Sequence, residues 1–87
     1  MFVILFYDFG EKRVAKALKI CRKHLNWVQN SVFEGDITNA NFVKLKHELR
    51  AIMNLQEDSL IMYSFQNMKY SQREVIGVEK NKVGNIL

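Results

Sequence analysis

Residues 2–8, FVILFYD, are apolar at odd and even positions alike and end on an acid. Side chains alternate across a strand, so a run apolar at both parities asks for cover on both faces of a sheet. It therefore reads as a strand in the middle of the sheet, buried on both sides. Residues 59–65, SLIMYSF, make the same demand from the far half of the chain. Two helical segments are available to meet it. Two helices cover only one side of a four-stranded sheet, so the other side stays apolar and open, and a second copy of the chain is the expected cover. A chain of 87 residues is one domain, small enough that a partner subunit is a natural enlargement of its core.

The first helical segment spans residues 11–25, after a turn at Phe9-Gly10, with Asn26 as its end. Val14, Ala17, Leu18, Cys21 and Leu25 recur at the spacing of a buried helical stripe. Lys12, Lys16, Lys19 and Lys23 recur at the same spacing on the opposite face, within an arc of about 60°. The segment carries six cations against Glu11 alone. Its net charge of +5 leaves −1 for the rest of a chain whose total is +4. Such a ridge is either a solvated outer face or a track for phosphates. The one-sided charge, and the lack of acidic partners four residues on, favour the phosphate track.

The remaining elements follow in order. In residues 27–38, WVQNSVFEGDIT, two polar interruptions divide a β-rich run, predicting a bend, a bulge or two short strands. Thr38 is a suitable N-cap for a second helix over 39–53, with Phe42, Leu45, Leu49, Ile52 and Met53 as its apolar face. NLQED, residues 54–58, connects to the strand at 59–65; residues 66–72 read as a loop and 74–78 as a last short strand. The order gives an α+β, ferredoxin-like βαββαβ sheet over residues 1–78, with both helices on one face and an extra C-terminal strand. The tail, residues 79–87, is expected to be irregular and to lie on another surface.

Several chemistries are excluded. No Walker loop, dinucleotide-binding glycine pattern, CxxC or HExxH occurs, and the four glycines are scattered. The lone Cys21 reads as a small buried hydrophobe; His24 and His47 belong to no legible motif. A single thiol, no apolar run of membrane-spanning length and no signal-peptide pattern together predict a cytoplasmic chain with no membrane partner.

Asp8 is the residue that carries chemistry. A carboxylate closing an apolar strand stands at the rim of the sheet, where it either caps the following helix or offers oxygen to a hard divalent cation. One carboxylate alone makes a poor magnesium site; two, from two copies facing each other across a dimer axis, can share an ion. Glu34 and Asp36 are further acids. Trp27 and Phe33 are either core residues or platforms for bases, and Tyr7 and Tyr63 share that ambiguity.

The segments MFVILFYDFGEKRVAKALKICRKHL, NWVQNSVFEGDIT, EDSLIMYSF and REVIGVEKN resemble, in order and over nearly the whole chain, the CRISPR-associated protein 2 family. Tyr7-Asp8 and Ser31–Gly35 are its most specific parts. The resemblance implies a sheet-to-sheet homodimer in which the last strand, here 74–78, crosses to the partner. It implies Asp8 as the catalytic, Mg2+-binding carboxylate, with Tyr7, Ser31 and Phe33 in support; Lys12, Arg13 and Lys16 fit the family's basic cluster and, with Lys19 and Lys23 of the ridge, are the candidates for binding nucleic acid. It implies a metal-dependent endonuclease cutting RNA or DNA, and a dimeric scaffold that holds double-stranded DNA between CRISPR integrase dimers during spacer acquisition. A non-catalytic scaffold and a toxin-type ribonuclease of the same fold are the alternatives. A single-strand reader of the RRM type is disfavoured, because the strands lack its aromatic and basic motif.

Overall fold

The computed structural model describes residues 1–67 and 69–80. The elements are β1 (Phe2–Asp8), α1 (Val14–His24), β2 (Asn26–Gln29), β3 (Val32–Asp36), α2 (Asn39–Ile52), β4 (Ser59–Phe65) and β5 (Ser71–Gly77). They form one antiparallel sheet in the order β2-β3-β1-β4-β5, with the ferredoxin-like split βαβ units in β1 to β4. β1 lies centrally, as its apolar run requires.

Register sorts the strands' side chains into two faces. Val3, Leu5 and Tyr7 of β1 lie beside Phe33 of β3 and Leu60 and Met62 of β4, under α1 and α2. Ala17 and Cys21 of α1 and Phe42, Leu45 and Leu49 of α2 close this core. The opposite face aligns Phe2, Ile4 and Phe6 with Val32 on one side and Ile61, Tyr63 and Phe65 on the other. Among the described residues no helix covers it, and Phe2, Ile4 and Phe6 are only half-buried. Burial of β1 on both faces is thus met on the helix side alone within a single chain. Phe6 and Tyr63 meet edge to face, 6.0 Å between ring centroids.

Polar contacts set the ends of the elements. Thr38 caps α2 by accepting from the Asn41 amide at 3.1 Å. α1 begins at Val14 rather than residue 11, and Arg13 at its N-cap makes no side-chain cap bond. The preceding turn is instead bound to Asp58, which is fully buried. Its carboxylate accepts from the Gly10 amide (2.7 Å), the Asn54 amide (2.9 Å), and Arg13 Nε and Nη2 (2.6 and 3.0 Å). The β1–α1 and α2–β4 connections are so fastened at one point.

The 27–38 region resolves into two strands. Asn30 turns between them at φ 46, a left-handed conformation that asparagine tolerates better than most residues. The register slips between Trp27 and Gln29. β5 begins at Ser71, three residues before the expected strand, because its exposed polar first half, SQRE, leaves no hydrophobic trace of an edge strand. It pairs with β4 of its own chain from Ser71↔Phe65 to Gly77↔Ser59. Within the single chain, residues 71–77 add to their own sheet. The docking expected of the tail falls on residues 81–87, outside the described residues.

Candidate active site

Asp8 ends β1 with the parity of Phe2, Ile4 and Phe6, so it stands on the uncovered face, at the rim beyond Phe6 and opposite Ser59. Its side chain is 69% exposed. It does not cap α1, whose N-cap is Arg13. The Lys80 ammonium lies 3.2 Å from its Oδ2, so a cation already sits against this carboxylate. Among the described residues no three His, Cys, Asp or Glu side chains gather as a metal site. One chain thus offers a hard cation a single open carboxylate at this rim.

Glu34 and Asp36 share that face but lie toward its other end, beside Ile4 and Phe2. Tyr7 is buried on the helix side, its ring 5.5 Å from that of Phe9 and 6.2 Å from that of Phe33. Burial raises the Tyr7 hydroxyl above its ordinary pKa, the nearby Cys21 thiol adds to the rise, and the Ser31 side chain and Arg22 oppose it. Ser31 accepts the Tyr7 amide through its carbonyl, 3.1 Å. Phe33 is 0% exposed and has no ring face to offer a base, whereas Trp27 is 55% exposed. Burial pushes the Cys21 thiol up to about 12, which removes it as a nucleophile near neutrality.

The basic residues divide into two groups. Lys12, Lys16 and Lys19 are exposed and join no ion pair among the described residues. Lys23 instead holds Glu48 of α2 at 2.6 Å, and His24 approaches the other oxygen of Glu48 at 2.8 Å. Arg13 is engaged by Asp58 and Glu57. Asp58 and Glu48 have no motif around them in the sequence; they meet their partners only when distant elements pack, at separations of 45 and 25 residues. Residue 58 had one legible signal, an acid placed directly before a strongly apolar strand.

The match to the family model described as CRISPR associated protein Cas2 covers residues 1–73. A CRISPR-associated endoribonuclease Cas2 of Dictyoglomus turgidum is 49% identical over the full length of both chains. One from Thermotoga maritima is 48% identical over 99% of each. A solved cas2 crystal structure, 34% identical, superposes with a TM-score of 0.74 over 100% of this chain and 98% of its own. Streptococcus pyogenes Cas2, 37% identical, gives 0.69 over 75% and 86%.

Proposed function

The chain belongs to the CRISPR-associated Cas2 family, and on that premise we propose that it is a metal-dependent endonuclease acting on RNA as a homodimer. The observation that carries this reading is the position of Asp8: a highly exposed carboxylate at the rim of an apolar sheet face that lacks cover. Apposing two such faces buries Ile4, Phe6 and Tyr63 against their counterparts and brings the two Asp8 carboxylates toward a common axis. The pair of carboxylates would hold one Mg2+ or similar ion, which when bound supplies Lewis acidity and a more acidic water. Asp8 itself orients that assembly, and the apolar residues behind it exclude bulk water from one side. The relatives named endoribonucleases support RNA as the substrate.

The test is cleavage of a single-stranded RNA by wild type and Asp8→Asn, with Mg2+ and with chelator. Loss of cleavage in the variant with an unchanged dimer mass supports the reading. Undiminished cleavage by Asp8→Asn refutes it.

A scaffold role on double-stranded DNA, beside the CRISPR integrase, is favoured by a separate observation: Lys12, Lys16 and Lys19 are exposed and join no ion pair among the described residues. It is independent of Asp8. Neutralising these three lysines should weaken duplex binding and flatten its salt dependence, by a slope of about 0.9 for each phosphate that is no longer neutralised.

A further inference from the structure

A cleft of about 600 Å³ opens between α1 and the β2–β3 hairpin. It belongs to none of the features that place Asp8. One wall is apolar, from Val14, Ala15 and Leu18 of α1, with Tyr7 at the base. The other wall is Trp27, 55% exposed on the edge strand. Its indole Nε1 donates to the Asn30 carbonyl at 3.0 Å. The ring's single polar atom is thereby satisfied within the hairpin, the ring is held in place, and what it presents outward is a π-face. Arg22 lines the cleft, Ser31 and Asn30 add polar groups, and no carboxylate among the described residues lines it. The size lies within the range of small-molecule sites.

An exposed, pinned indole in a cleft with an apolar wall, lined also by an arginine, has the chemistry to receive a flat aromatic group that carries negative charge. We infer that this cleft is a nucleotide subsite: an unpaired base of single-stranded RNA stacks on Trp27, and Arg22 takes an adjoining phosphate. The occupant is nucleic acid rather than an acidic peptide because the cleft joins two features: a broad aromatic face and the cationic side of α1, where Lys19 stands three residues before Arg22 on the helix. Tyr7 and Asp8 are consecutive, with side chains on opposite faces of β1. The cleft and Asp8 therefore open at the same rim of the sheet, and a strand seated in the cleft is led over that rim. This inference rests on the proposed RNA substrate and adds where one of its bases is held.

Trp27 is the only tryptophan in the chain, so its fluorescence reports on this site alone. The experiment titrates full-length Asp8→Asn protein, in chelator, with a short single-stranded RNA and with an abasic ribose-phosphate oligomer of equal length. Anisotropy of the labelled oligomers is read beside tryptophan emission. Saturable quenching by the RNA, and binding of the abasic oligomer without quenching, are expected. In anisotropy, Trp27→Leu should weaken RNA binding about 5- to 150-fold, with Trp27→Phe recovering most of it. Arg22→Gln should lower the salt slope by about 0.7. RNA binding without quenching, equal quenching by the abasic oligomer, or unchanged affinity in Trp27→Leu overturns the subsite. None of these readouts depends on cleavage, so this inference can fail while the nuclease reading stands, and the reverse.

Discussion

Replacing Asp58 by Ala removes the acceptor for four hydrogen bonds at a fully buried position. Two backbone donors, Gly10 and Asn54, lose their partner, and each such donor costs about 1–3 kcal/mol if nothing replaces it. Arg13 is left with Glu57 alone. The loss expected is about 3–5 kcal/mol, the range for breaking a buried pair from one side. In urea unfolding, with a slope of about 1.5 kcal/mol per molar, the midpoint should fall by roughly 2–3 M. Protein concentration must be held constant, because the proposed self-association would add stability by mass action. Asp58→Asn keeps the shape and one acceptor oxygen, and should lose about half as much. Gly10 lies two residues after Asp8, so the same variants should also loosen the carboxylate's position. A loss in Asp58→Ala below about 1 kcal/mol, the worth of an exposed ion pair, would mean that the buried carboxylate does not fasten the two connections.

Gly77 lies at φ 88, and a Cβ there would clash with the Asp58 carbonyl oxygen. Gly77→Ala should cost about 2–4 kcal/mol by thermal unfolding, from left-handed strain and overpacking together. Lys23 first and then His24 hold the Glu48 carboxyl at about 2. Because an unfolded glutamate titrates near about 4.3, this stabilisation is full above about pH 5 and lost as pH falls from there through about 2. Glu48→Gln should therefore flatten part of the acid limb of stability against pH; an unchanged limb contradicts the pairing. Asp58 behaves in the same sense, its carboxyl held well below the usual range by Arg13 and by the Gly10 and Asn54 amides, against the opposing effect of burial. Lys80→Ala removes the cation beside Asp8 and should lower the Mg2+ concentration needed for half-maximal cleavage about two- to fivefold. A higher requirement would mean that Lys80 assists the site.

Elements whose identity depends on what they bury were legible in the sequence. β1 and β4 followed from runs apolar at both parities, and Thr38 was found as a cap because its chemistry is local. The open face was also legible, since two helices cannot cover two sides of a sheet. Features that depend on tertiary partners were not. The first half of β5 is polar because it is an exposed edge, so nothing in its composition separates it from a loop. α1 starts late because Gly10 and Arg13 are drawn to Asp58, 48 and 45 residues away. Of the lysine ridge only Lys23 is neutralised among the described residues, and its acid was not legible because acids were sought four residues along the same helix, whereas Glu48 reaches it from α2. Trp27 and Phe33 read alike as strand aromatics. They diverge because β2 is an edge strand and β3 packs beside β1, which leaves one indole in solvent and one phenyl ring in the core.

The proposed chemistry requires two Asp8 carboxylates to act together. Mixing wild-type and Asp8→Asn subunits in known ratios, allowing them to exchange, and measuring RNA cleavage in Mg2+ at constant total protein examines that requirement itself. If both carboxylates are needed, cleavage falls as the square of the wild-type fraction, to about a quarter at equal mixing of freely exchanging dimers. A linear fall, to about half, would mean that each subunit works alone, and would contradict a shared site.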